Sequence, residues 1–312
     1  MKRSPLKIGS RGSRLALVQA HQVGKALLTV DPHLTLTYVI IRTTGDHLRK
    51  NSVAALGGKG IFVKEIEEAL VQGKIDMAVH SMKDVPATLE KNLILAAVLK
   101  RTTSRDVFLS FRYASLERLP KEGVVATGSI RRKIHVLEAH PALRVVMVRG
   151  NVDTRIQKLK EGHFDALILA EAAIQRLNLA HDLFCQPLHW IPAVGQGTIG
   201  IEICRNRKDL VRLLSNINHV KTFHEVTLER FFMKIMQGGC AMPLGAKVFC
   251  KGQDFFLTTF IGTLDAKKIL RHKIRGLLKN AEGLISKLCQ RIMKEGGRDI
   301  LESVIRGAKK SS

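Results

Sequence analysis

Two residues in this 312-residue chain combine a reactive side chain with a distinctive setting. Cys240 stands in Gln237-Gly238-Gly239-Cys240-Ala241-Met242-Pro243-Leu244-Gly245, and Asp84 in His80-Ser81-Met82-Lys83-Asp84-Val85-Pro86. Before Cys240, Val226, Phe231, Phe232 and Ile235 recur at helical spacing, and Gly238-Gly239 supplies the positive φ that ends a helix, so the thiol falls on a loop. A helix C-terminus is partially negative and does not lower a thiol pKa, which argues against a turnover nucleophile. The thiol therefore reads either as inert packing or as the carrier of a permanent thioether. Lys83 and Asp84 follow a strand, beyond whose carboxyl end an open α/β sheet binds ligands. They read either as a surface ion pair or as part of a cleft in which Asp84 holds a developing positive charge. The cations Arg11, Lys59, Lys83, Arg131, Arg132, Arg149 and Arg155 cluster in loops after strands, and the arginine fork suits carboxylate or phosphate. Their distribution favours a polyanionic ligand over a merely solvated basic face.

The elements that must position these residues form an internal repeat. Leu6-Lys7-Ile8 predicts a strand, and Gly9-Ser10-Arg11-Gly12-Ser13 a turn that opens a helix and presents free N–H groups to an anion. Val124 to Arg132 repeats that design around Gly128-Ser129, 119 residues later. A second echo pairs Gly73-Lys74-Ile75-Asp76 with Gly162-His163-Phe164-Asp165, at an offset of 89 residues. An insertion in the first copy accommodates the difference, and the glycine-rich stretch 43–60 is expected to be a mobile loop or lid. Chance likeness between strand-turn-helix units is the alternative. The expected fold is α/β: two lobes of one plan around a cleft, plus a smaller C-terminal α/β domain. Lobe one takes residues 1–100 with 196–220, lobe two 101–195, and the C-terminal domain 221–312. Arg101 to Arg105 and Ile191 to Gly197 are read as the crossings between lobes.

Composition narrows the function classes. Fifty-one Lys and Arg against 27 Asp and Glu give a formal charge of +24, which calls for anionic partners, nucleic acid or a basic host proteome. Five cysteines without a Cys-x-x-Cys pair disfavour a disulfide framework and a zinc knuckle, and point to a reducing compartment. No signal peptide or membrane span is expected, so the location reads as cytoplasmic. His181, Cys185 and His189 have helical metal-ligand spacing, but Pro187 breaks the helix, and no metal site is expected. No Walker loop, dinucleotide fingerprint or nucleophile elbow occurs. Phenylalanines are not interleaved with the basic residues, which disfavours a nucleic-acid stacking platform.

Ile8-Gly9-Ser10-Arg11, Gly57-Gly58-Lys59-Gly60, His80 to Pro86, Arg149-Gly150-Asn151-Val152, Pro192 to Gly197 and Gly238-Gly239-Cys240 together resemble the porphobilinogen deaminase (hydroxymethylbilane synthase) family. The resemblance implies two lobes like those of periplasmic binding proteins, and a monomer. It implies a transferase of haem and tetrapyrrole biosynthesis that joins four porphobilinogen molecules head to tail into hydroxymethylbilane. The growing chain would stand on a dipyrromethane cofactor held through a thioether to Cys240. Asp84 would steady the azafulvenium-like electrophile left by loss of ammonia. Arg11, Ser13, Lys83, Ser129, Arg131, Arg132, Arg149 and Arg155 would bind cofactor and substrate carboxylates, with Lys59 closing over them. Departures from the family pattern are Gly128 in place of serine or threonine, Glu171 and Ala173 in a small-residue turn, and Ala241-Met242 after the cysteine. The basic residues Lys267, Lys268, Arg271, Lys273, Arg275, Lys309 and Lys310 lie outside these motifs. A small-anion binding protein or a nucleic-acid binder would leave Cys240 bare.

Overall fold

A computed structural model of the chain describes residues 4–44, 63–237 and 242–310. The chain opens with β1 (Leu6–Ser10), α1 (Arg14–Val30) and β2 (Leu36–Ile40), and continues through α2 (Lys64–Val71), β3 (Met77–Ser81) and β4 (Leu93–Val98). It then crosses to β5 (Asp106–Ser110), β6 (Val124–Thr127), α3 (Ile130–Ala139), β7 (Arg144–Met147), α4 (Val152–Lys160), β8 (Ala166–Ala170), α5 (Glu171–Leu177) and β9 (Phe184–Leu188). It returns through β10 (Ile199–Cys204) and α6 (Lys208–Ser215). The last unit is α7 (Val220–Ile235), β11 (Leu244–Lys251), β12 (Asp254–Gly262), β13 (Ile269–Leu277), α8 (Ala281–Ile292) and α9 (Arg298–Lys310).

The two lobes carry the same sheet. Their strand orders are β2-β1-β3-β10-β4 and β7-β6-β8-β5-β9. In each, the first three strands are parallel and the last two join antiparallel. The echo around Gly73 and Gly162 is a real equivalence: these glycines, at φ +66° and +78°, turn the chain from α2 into β3 and from α4 into β8. Central strands read as continuous apolar runs because helices cover both sheet faces. Ala166-Leu167-Ile168-Leu169-Ala170 of β8 is buried throughout. On α1 the buried side chains Ala20, Val23 and Leu27 pack against Ile8, Met77 and Ile201 of the first sheet.

The crossings need glycine. Gly197 has φ +82°, and a Cβ there would lie 1.7 Å from the Thr103 carbonyl oxygen of the opposite crossing. Gly195 has φ +70°, with a Cβ falling 2.8 Å from that of Met82. No L side chain fits either place without backbone movement. Fully buried Glu229 on α7 joins both crossings to the last unit. Its carboxylate accepts from Arg101 Nη2 (3.0 Å), Gly195 N (2.8 Å) and Val248 N (3.0 Å).

In the last unit an antiparallel sheet β11-β12-β13 packs one face on α7 and α8 through Phe232, Val248, Phe255, Leu257 and Ile285. Strand β13 was not expected from the sequence. Its exposed Arg271, Lys273 and Arg275 alternate with more covered Leu270, His272 and Ile274, so the unexplained basic residues there are one face of a strand. Cys185 lies in strand β9, and Pro187 is accepted there because β9 is a sheet edge. Among the described residues no group of His, Cys, Asp and Glu can hold a metal ion, and no helix is long and apolar enough to cross a membrane. Most of the 43–60 loop, Lys59 included, and Cys240 lie outside the described residues.

Candidate active site

The candidate residues within the described chain follow the carboxyl ends of parallel strands, where sheet topology leaves backbone donors free. Arg11 and Ser13 follow β1, Lys83 and Asp84 follow β3, Ser129, Arg131 and Arg132 follow β6, and Arg149 and Arg155 follow β7. Both glycine-serine turns become helix N-caps: the Ser13 hydroxyl accepts from Ala16 N at 3.3 Å, and that of Ser129 from Arg132 N at 3.5 Å. Neither helix carries an acidic residue in its first turn, so the positive end of each dipole is left uncompensated by the chain itself.

Asp84 closes a short turn, Met82–Asp84, held by Met82 N donating to the Thr198 carbonyl (3.0 Å) and Val85 N to that of Met82 (3.3 Å). This turn belongs to the first lobe, yet Arg132 and Arg155 of the second lie close enough to act on it electrostatically. Burial pulls the Lys83 ammonium below its ordinary range, with Asp84 opposing the shift and Arg132 and Arg155 adding to it. Burial, joined by the Arg132 charge and opposed by Asp84, lowers Arg155 to about 10, and its Nε donates to the Gly150 carbonyl at 2.7 Å. Arg149 is exposed in the loop before α4.

Arg131 and Arg132 converge on buried Asp106 at the start of β5. Arg131 donates through Nη1 (2.7 Å) and Nη2 (3.1 Å), and Arg132 through Nε (2.8 Å). Gln196 of the return crossing adds a bond at 2.9 Å. Burial works against the Asp106 carboxylate, but the two arginines outweigh it and hold its pKa well below the usual range. One carboxylate against two guanidiniums leaves a net positive charge, and Arg132 is near enough to Lys83 and Asp84 to interact with both electrostatically.

Two departures from the family pattern have structural reasons. A Cβ at Gly128 would lie 2.9 Å from the Val148 carbonyl oxygen and 3.0 Å from Arg155 Nη1, so glycine leaves that guanidinium room. Glu171 accepts from Arg105 Nε (2.8 Å) and Nη2 (2.9 Å) and from Thr103 Oγ1 (2.7 Å), which fastens the outgoing crossing. Sequence reading missed Arg176 on α5. Burial lowers it to about 10, and its Nη2 donates to two neutral oxygens, the Gly197 carbonyl (2.8 Å) and Thr102 Oγ1 (3.1 Å). A desolvated arginine bonded to neutral acceptors beside the crossing was the available signal, and it exists only in three dimensions.

This geometry defines a two-lobed α/β protein whose cleft gathers cations around one carboxylate. "Porphobilinogen deaminase, dipyromethane cofactor binding domain" matches residues 6–212, and "Porphobilinogen deaminase, C-terminal domain" matches residues 223–294. The porphobilinogen deaminase of Lawsonia intracellularis is 39% identical over 304 residues, covering 96% of this chain and 98% of its own. That of Nitratidesulfovibrio vulgaris is 40% identical over 304 residues, covering 96% of each. Among solved structures, an ancestral cationic amino acid solute-binding protein covers 75% of this chain and 91% of its own at 15% identity, with a TM-score of 0.43. The chain belongs to the porphobilinogen deaminase family, the hydroxymethylbilane synthases, transferases of tetrapyrrole biosynthesis that polymerise porphobilinogen on a dipyrromethane cofactor.

Proposed function

We propose that this chain builds hydroxymethylbilane from four porphobilinogen molecules in the cleft between its lobes, with Asp84 as the catalytic carboxylate and Cys240 as the attachment point of the dipyrromethane. Lobe one (1–100 with 196–220) and lobe two (101–195) form its walls, and the C-terminal domain (221–312) carries the attachment loop. The observation that carries the reading is that Asp84, which follows β3 of one lobe, lies close enough to Arg132 and Arg155 of the other to act on both electrostatically.

The lining fits a polyanionic cofactor. Lys83, Arg155 and Arg176 are all desolvated, and Asp84 is the one acid that acts on either Lys83 or Arg155 more strongly than any other. Arg11, Ser13, Lys83, Ser129, Arg131, Arg132, Arg149 and Arg155 would hold acetate and propionate groups, with Arg131 and Arg132 contributing the charge that Asp106 leaves over. Lys59 would close the cleft. The bound dipyrromethane supplies the pyrrole carbon from which the product grows. Asp84 accepts hydrogen bonds from pyrrole N–H groups and steadies the positive charge that the porphobilinogen methylene acquires as ammonia leaves, in a setting of fixed charges that need no reorganisation. The substrate is a small molecule, no nucleic acid takes part, and the protein works as a cytoplasmic monomer.

Asp84→Asn preserves shape and removes the charge. It should lower ammonia release by about 10²- to 10³-fold while the protein stays folded. Turnover near that of the parent would overturn the assignment.

A further inference from the structure

Arg230 on α7 is nearly buried, yet among the described residues it donates to no carboxylate within hydrogen-bond distance. Its Nη1 reaches the Val85 carbonyl (3.3 Å) and its Nη2 the Ala87 carbonyl (3.2 Å), on the strap that leaves Asp84. A planar two-pronged donor is suited to fixing where the strap lies. The helix that supplies this donor belongs to the last unit and ends at Ile235, five residues before Cys240.

Behind the guanidinium lies a buried acidic group drawn from three elements of lobe one. Glu202 on β10 has Oε2 3.1 Å from Nε2 of His80 on β3, while its Oε1 has no hydrogen-bond partner. Glu67 on α2 is held up at about 7 by burial, then by Glu202 and Glu90, with Arg230 opposing. Burial lowers the Arg230 pKa, and Glu202 and Glu67 oppose that shift. A buried cation is expensive unless compensated. Here two carboxylates act on the charge electrostatically while both Nη atoms donate to the strap. The hydrogen bonds of the guanidinium go to the strap carbonyls, a use of the fork that a counter-ion role does not need.

We propose that Arg230 is a positioning residue, which fixes the Asp84 carboxylate against the helix leading to Cys240 by gripping the Val85 and Ala87 carbonyls. The proposal rests on the reading of Asp84 as the catalytic carboxylate. It ties the reacting group to the helix that precedes the cofactor's anchor in the chain.

The test uses the full-length, cofactor-loaded protein with Arg230→Gln and Arg230→Lys, each alone and combined with Asp84→Asn. kcat and KM for porphobilinogen, intact mass and thermal midpoint are measured. A misplaced reacting group costs about 10²-fold in rate. Arg230→Gln should therefore lower kcat by about 10²-fold with KM close to that of the parent. Arg230→Lys keeps the charge opposite Glu67 and Glu202 without the planar fork, and should lower kcat by about tenfold. With Asp84→Asn already present, either substitution should cost little more, because both act through one group. Parental kcat in a folded, loaded Gln or Lys variant overturns the proposal. So does an undiminished loss in the Asp84→Asn background, or failure of the Lys variant to fold, which assigns Arg230 to stability alone. Parental turnover of Asp84→Asn itself would instead overturn the reading of Asp84, whereas a harmless Arg230 beside a crippled Asp84→Asn would sink only the positioning role.

Discussion

Asp106→Asn removes one charge from the most completely buried ionic group in the cleft wall. The carboxylate is 0% exposed and accepts four bonds, at 2.7, 3.1 and 2.8 Å from Arg131 and Arg132 and 2.9 Å from Gln196. Asparagine keeps the shape, but it leaves two guanidiniums, 2% and 5% exposed, without a counter-charge. It also sets an NH2 group against other donors. Breaking a buried pair in this way costs about 3 to 5 kcal/mol. The sign with pH follows from the lowered folded-state pKa of Asp106. Its contribution is present above the unfolded value, about 3.9, and is lost as pH falls through the folded value. Urea unfolding of cofactor-loaded parent and variant should therefore differ by about 3 to 5 kcal/mol at pH 7 and converge in strong acid. A difference below about 1 kcal/mol at pH 7, the scale of an exposed ion pair, would refute the claim that Asp106 compensates both arginines.

Glu67 carries the opposite linkage. Its folded-state pKa, about 7, lies above the unfolded value, so its contribution is full below about 4.3 and is lost as pH rises through 7. Denaturant titrations of Glu67→Gln across that window should show a flatter pH dependence than the parent, and an unchanged slope would remove Glu67 as the cause. Arg176→Gln should raise KM for porphobilinogen by about tenfold or more, since a charge-assisted hydrogen bond contributes about 1.5 to 3 kcal/mol; steady-state kinetics at fixed salt read this directly, and an unchanged KM would place Arg176 outside the substrate's reach.

The sequence made the fold legible wherever local pattern and tertiary environment agreed. Two lobes of one plan were legible because a strand, a glycine-serine turn and a helix recur, but the register was not: Gly9 and Ser10 end β1, and the residue that caps α1 as Ser129 caps α3 is Ser13. Strand β13 escaped because Arg271, Lys273 and Arg275 hide its alternation among charges, and exposure, not residue type alone, makes the period visible. The motifs pointed to Asp84 and the arginines after β6 and β7. They did not disclose that Arg131 and Arg132 share Asp106, which lies 25 residues earlier and meets them only when β5 enters the second sheet antiparallel to β8. Glu229, Arg230 and Arg176 were silent for the same reason. Each looks like an ordinary charge on an amphipathic helix until the partners arrive from other elements. Glu171 stood out as a departure, and its meaning came from Arg105 across the crossing.

The central claim is that the product grows on a primer bonded to Cys240. Of the other four cysteines, Cys250 and Cys289 are buried, with thiols pushed up to about 11 and about 12, chiefly by desolvation, so they do not compete as attachment points. Intact and peptide-level mass spectrometry of the purified parent and of Cys240→Ser tests the claim most directly. The account predicts a dipyrromethane adduct on the peptide containing Cys240 and its loss in the variant. An unmodified Cys240 in protein that still releases ammonia from porphobilinogen, or an adduct that survives Cys240→Ser, would contradict it.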